Sequence, residues 1–153
     1  MSEREVVKTA LVVIETADSF ILHRRPNLPG KLAYPGKLHF LGGHVEEGEE
    51  SLDAAARELE EEAHLKLPKD AISLYAVKRF EGMGKDNEPV LREVTVGYLA
   101  LTRYGEEQFC LSEAEGGEIV RIGKDYDDFM LLEGEFAPFA KETLNQFIKK
   151  KAA

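Results

Sequence analysis

Four glutamates, Glu58, Glu60, Glu61 and Glu62, crowd into five consecutive positions of a 153-residue chain. On a helix, Glu58, Glu61 and Glu62 would lie within about 100° of arc. Like charges three or four residues apart repel by about 0.2–0.5 kcal/mol per pair. Crowding of this kind points to a cation among the carboxylates, and an oxygen-only set suits a hard ion, Mg²⁺ or Mn²⁺. Glu60 points away from the other three and is expected in solvent. Upstream, residues 23–37 carry Arg24, Arg25, Lys31 and Lys37 and no acid. A cationic stretch directly before an anionic one suggests substrate phosphates on one side and metal on the other. A divalent ion placed there would neutralise phosphate charge and lower the pKa of a bound water. A glutamate run alone is ordinarily a solvated helix face; the flanking Gly42-Gly43, Glu49 and Arg57 argue for more.

The elements that must position these residues can be read from periodicity. Residues 51–63 predict a helix, with Leu52, Ala55, Ala56, Leu59 and Ala63 on one apolar stripe and the three glutamates on a neighbouring face. Residues 6–14 and 20–24 predict a hairpin around Asp18 and Ser19. Residues 26–36 hold three prolines and two glycines and predict a loop. Residues 38–41 predict a short strand ending in the glycine pair. Residues 72–80, 90–103 and 118–122 predict strands, with a loop over 81–89. Residues 136–150 predict a second helix whose core face is Phe136, Phe139, Ala140, Leu144, Phe147 and Ile148. Strands with two well-separated helices predict an α/β fold, a mixed sheet sandwiched by helices.

Composition narrows the class. The length fits one domain, 1–153, with a real core. The net charge of −9 looks hostile to nucleic acid, but residues 41–62 hold nine acids and one arginine, leaving the rest of the chain near neutral. Metal binding would cancel much of that local excess, so a phosphate-rich substrate stays allowed. The lone Cys110 forms no internal disulfide and reads as a small core residue. No segment approaches the roughly 18–20 apolar residues of a membrane span, so a cytoplasmic protein is expected. There is no HExxH, and GKLAYPGKL is misspaced for a P-loop.

Written as spacing, the stretch is Gly43, five residues, Glu49, seven residues, Arg57-Glu58-Leu59, one residue, Glu61-Glu62. This resembles the Nudix box, the signature of the Nudix hydrolases. His64 stands where the family expects a glycine in a left-handed helix cap, which a histidine adopts at a cost of about 1 kcal/mol. Residues 21–43, with Arg24-Arg25, Lys37-Leu38, His39, Phe40 and Gly42-Gly43, resemble MutT-type nucleoside triphosphate pyrophosphohydrolases. Leu41 replaces the proline usual before the glycines, and the loop from Pro26 to Gly36 is longer than usual.

The resemblance implies a Nudix-like α/β/α sandwich and a Mg²⁺-dependent cleavage of a nucleoside triphosphate, dGTP-like or GTP-like, to monophosphate and pyrophosphate. It implies metal ligation by Glu58, Glu61, Glu62 and the Gly42 carbonyl. Glu115 is similar to the segment that supplies a last metal-binding glutamate, with Glu113 and Glu118 as rivals. Glu58 or Glu61 would serve as the base. Glu49 and Arg57 would form an ion pair that fixes the loop to the helix. Arg24, Arg25, Lys37, Phe40 and His44 are the candidate substrate contacts. Removal of pyrophosphate from an RNA 5′-triphosphate end and a non-catalytic nucleotide-binding module are the alternatives. Members of the family are often dimers, so a homodimer is allowed.

Overall fold

The computed structural model describes residues 6–24, 36–68, 70–83, 89–104, 118–125, 129 and 133–152. Strand β1 (Val6–Glu15) is the axis of the molecule. Its apolar, β-branched residues send alternate side chains to opposite faces of the sheet. Ala10, Val12 and Ile14 join one core and Leu11 and Val13 the other. A tight turn at Thr16, whose hydroxyl accepts the Ser19 N–H at 2.9 Å, leads into β2 (Ser19–Arg24), antiparallel to β1.

Strands β3 (Leu38–His39) and β4 (Leu41–His44) follow. The single strand expected over 38–41 is thus broken at Phe40, whose N–H is donated to His39 Nδ1 at 2.8 Å. Strand β4 also runs on through both glycines, antiparallel to β1. Helix α1 (Ser51–Ala63) has the expected bounds. Two long strands, β5 (Ser73–Met83) and β6 (Pro89–Ala100), pair antiparallel, and β6 runs parallel to β1 along its whole length. Strand β7 (Glu118–Gly123) pairs with β2. The sheet is therefore mixed, in the order β3-β2-β1-β6-β5, with β4 on β1 and β7 on β2. Residues 101–104 form a short 3-10 turn, which ends the strand expected to reach 103.

Helix α2 (Pro138–Ala152) begins two residues later than the sequence suggested. Proline suits the first helical position and disfavours helix in the residue before it. Phe136 instead bridges to Leu38. Helix α1 covers one face of the sheet through Ala54, Ala55, Leu59 and Ala63. Helix α2 covers the other through Ala140, Leu144 and Phe147, whose ring meets Phe20 edge-on at 5.7 Å. This is the expected α/β/α sandwich. Among the described residues no helix is long and apolar enough to cross a membrane.

The far end of β1 carries a buried charge that fastens α2. Glu15 accepts hydrogen bonds from the Tyr98 hydroxyl and from Lys151 Nζ at 2.6 Å, and pairs with Lys124 Nζ at 2.9 Å. Burial alone would push the Glu15 carboxyl up; the Lys151, Tyr98 and Lys124 donors outweigh it and hold it below the ordinary carboxylate range. Burial and the bond to Glu15 push the Tyr98 phenol up, and the bond to Glu15 raises Lys151.

Candidate active site

The glutamate-bearing helix meets the sheet at β4. Ala54, Glu58 and Glu62 follow one another at i, i+4 and i+8, one ridge of the helix. Ala54 is fully buried, so the apolar stripe is rotated from the one expected, toward that ridge. Glu58 and Glu62 are thereby pressed against the two glycines. Gly42 donates its N–H to Glu62 Oε1 at 3.0 Å. Gly42 thus turns its N–H to the free edge of β4, away from β1. The His44 carbonyl lies on that edge too, accepting from Arg57 at 3.0 Å.

Both glycines are required by close approach. Gly42 has φ +141, and a Cβ there would stand 2.0 Å from the Ala10 carbonyl oxygen. At Gly43 a Cβ would stand 2.5 Å from Glu58 Cδ, so the bare backbone is the cradle of that carboxylate. Sequence reasoning singled out Gly42 and passed over this role of Gly43, although the glycine pair was its signal.

Arg57 organises the acids. It donates Nε–H to Glu49 Oε2 at 2.9 Å and an NH2 proton to Glu49 Oε1 at 3.2 Å, a two-point contact. The same guanidinium reaches Glu58 at 3.1 Å and Glu61 at 3.2 Å. Arg57 hydrogen bonds, with the Glu46 N–H, hold the Glu49 carboxyl below its usual range. The bonds it donates to Glu49 push the Arg57 guanidinium up, so it stays charged throughout. The Glu49–Arg57 pair therefore ties the 45–50 loop to α1. Helix α1 ends at His64, φ 56 and ψ 30, the left-handed cap conformation. Its N–H returns to the Glu60 carbonyl at 3.1 Å, meeting an acceptor the helix end would leave orphaned.

Glu58 is 18% exposed in its side chain and Glu61 53%, while Glu60 faces solvent. Among the described residues no three acidic or histidine side chains converge into a ready cation cage. The reason is visible: Glu62 is turned to Gly42, and Glu58 and Glu61 to Arg57. The donor types themselves, carboxylates and backbone carbonyls, are the oxygen chemistry a hard divalent ion takes.

The candidate substrate contacts separate. His44 is exposed beside the edge. Arg24 binds Glu135 at 3.0 Å and the Gly36 carbonyl at 3.2 Å, and Lys37 donates to the Gly134 carbonyl at 2.7 Å. Both cations thus hold the 133–135 turn that leads into α2. Phe40, expected as a base contact, is 4% exposed and packs in the core under α2; its ring is a packing residue here. Glu118 is exposed at the start of β7, opposite Arg24. Arg25, Glu113, Glu115 and Cys110 lie outside the described residues.

A family model, the NUDIX domain, matches residues 5–147. The chain therefore belongs to the Nudix family. It is 31% identical over 123 residues to Nudix hydrolase 3 of Arabidopsis thaliana, covering 78% of this chain; it spans 16% of that relative's length. A MutT protein from Methanosarcina mazei shares the fold, at TM-score 0.65, 17% identity and full coverage of both chains. So does a bifunctional NMN adenylyltransferase/ADP ribose pyrophosphatase from Francisella tularensis, solved with AMP and a manganese ion. That likeness has TM-score 0.71 and 15% identity, over 98% of this chain and 43% of that one. Nudix hydrolases generally use divalent metal ions.

Proposed function

We propose that this protein is a Mg²⁺-dependent pyrophosphohydrolase that cleaves a purine nucleoside triphosphate, GTP-like or dGTP-like, into monophosphate and pyrophosphate. The observation that carries this reading is the edge of β4, where Glu58, Glu62 and the Gly42 backbone meet with Glu61 one turn away. Glu58, Glu61, Glu62 and the Gly42 carbonyl would hold the ion, and Mn²⁺ would fit the same donors. The bound ion supplies neutralisation of the phosphates and a more acidic water. The AMP and manganese ion of the Francisella neighbour support a nucleotide and a divalent ion in this fold.

The chain's own residues do the rest. Glu58, seated on Gly43 and oriented by Arg57, or Glu61, open to solvent, takes the proton from the attacking water. Arg57 and Glu49 hold the loop against α1. His44 lies beside the edge where the phosphates would pass. The assay that tests the substrate is a side-by-side measurement with nucleoside triphosphates, 5′-triphosphorylated RNA, dinucleoside polyphosphates and ADP-ribose. Purine triphosphates are expected to give the highest kcat/KM; RNA exceeding every free nucleotide would overturn the assignment.

A further inference from the structure

Among the described residues, three of the four large apolar side chains left exposed sit on β5: Leu74 at 59%, Val77 at 51% and Phe80 at 38%. Strand β5 ends the sheet path, and among the described residues it pairs with β6 alone. An edge of this kind offers a row of backbone N–H and C=O groups to another strand. Folds ordinarily guard such edges with short strands, prolines or bulges. Here β5 is 11 residues long and holds no proline, and its register breaks only near the start, between Leu74 and Ala76. From Ala76 to Met83 the ladder is regular.

Side chains along this stretch alternate between the faces of the sheet. Phe80 points to the α2 face, where it stacks on Phe139 with ring centroids 5.8 Å apart. Lys78 points the same way and is bent onto α2, donating to Gln146 at 2.8 Å and Thr143 at 3.2 Å. Val77, Arg79 and Glu81 alternate with them and point to the α1 face. Arg79 is 71% exposed in its side chain and holds Glu93 at 2.8 Å. A strand that meets its own copy antiparallel about a two-fold axis must match residues of one face, so the axis falls on a residue. An axis at Lys78, Arg79 or Glu81 sets a charge against itself, which destabilises a sheet pair. An axis at Ala76 or Val77 runs at once into the break at Leu74/Ala76, and one at Gly82 leaves 81–83 alone. With the axis at Phe80, every position from 77 to 83 has a mate. Phe80 then meets Phe80, Lys78 meets Gly82, and Arg79 meets Glu81 on both sides of the axis.

We propose that the β5 edge seats a second copy of this chain, joining two sheets into one across a two-fold axis at Phe80. The charge pattern selects a copy over a foreign strand, because β5 is complementary to itself in this one register. Opposite charges and aromatic rings set directly across an antiparallel pair each stabilise it. The Arg79 guanidinium has donors enough for both Glu93 and the copy's Glu81. Strands β1 and β6 stand between β5 and the β4 edge, so each copy keeps its own site outside the interface.

The test is the mass in solution, by sedimentation, of the whole chain and of two charge variants, each checked for folding by circular dichroism. The wild type is expected to be a dimer. Arg79→Glu makes positions 79 and 81 both acidic, and Glu81→Arg makes both basic. Each variant alone therefore sets like charges opposite one another, and its dimerisation weakens by about tenfold or more. An equal mixture of the two restores the dimer, since an acidic strand then faces a basic one at both pairs. Phe80→Cys in a Cys110→Ser background reads the axis directly. Opposed Cα atoms stand about 4.5–5.5 Å apart, within disulfide reach, so oxidation gives a covalent dimer. Leu74→Cys, more exposed on the same strand, would lie about 40 Å from its mate and stays single. This second readout decides if a charge variant fails to fold. A wild type still monomeric at about 1 mM would overturn the inference. So would charge variants as dimeric as the wild type, a mixture no more dimeric than its parts, or cross-linking as ready at position 74 as at position 80.

Discussion

Arg57 shows how much one side chain decides at this site. Its planar fork serves Glu49, Glu58, Glu61 and the His44 carbonyl at once. A lysine offers a point charge in place of the fork, so Arg57→Lys should cut kcat by about tenfold while the protein still folds, read by steady-state kinetics beside a thermal melt. The identity of the base is separable in the same way. Of Glu58→Gln and Glu61→Gln, the base is the variant that loses about a hundredfold or more in kcat yet retains Mn²⁺ affinity. The ligand set is wrong if both variants bind Mn²⁺ and turn over substrate like the wild type. At this scale the sequence was legible where spacing is local. Glu49 and Arg57 are eight positions apart, and the helix period puts Glu58 and Glu62 on one ridge against the two glycines. Arg24 and Lys37 were not legible, because their partners in the 133–135 turn lie about a hundred residues away along the chain. Phe40 was misjudged for a related reason. Nothing local tells a ring beside two glycines that α2 will cover it.

At the scale of elements, β4 and α1 are joined by what the glycines lack. Gly43→Ala would drive a methyl into Glu58, a flexible side chain that can swing aside. The expected outcome is a folded protein with sharply reduced turnover. Gly42→Ala meets fixed backbone instead and is expected to unfold the protein, which circular dichroism distinguishes directly. The helix cap gives a prediction of opposite sign. His64 holds φ 56, and glycine there should relieve about 1 kcal/mol of strain. Since 1 kcal/mol is worth about 2–4 °C in a chain of this size, the His64→Gly variant should melt about that much higher. Helix α1 was legible because its apolar and charged residues share one period. The boundaries near Phe40 and Phe136 were not. A ring nitrogen captures one N–H there, and a proline resets the start of α2.

Across the whole molecule, the acids of the active site and the Glu15 cluster lie on different elements and answer to different conditions. Glu15 is ionised in the fold below its ordinary pKa, so its contribution is present at neutral pH and lost as pH falls below about 4.5. Tyr98 and Lys151 are raised, so their contribution is full below about 10 and lost as pH climbs past it. Stability should therefore plateau between those limits. Glu15→Gln should lower the plateau by about 1–3 kcal/mol and flatten both shoulders, as read from melts across pH. No sequence pattern announced this cluster, since its four members come from β1, β6, the residue just after β7, and α2. The account's central claim concerns the other cluster. Wild type and Glu62→Gln should be given a purine nucleoside triphosphate with Mg²⁺, and monophosphate and pyrophosphate followed as products. The account predicts that both products appear in equal amounts with the wild type, vanish on chelation, and fall by about a hundredfold or more with Glu62→Gln. Full turnover by Glu62→Gln, or product formation indifferent to the divalent ion, would contradict it.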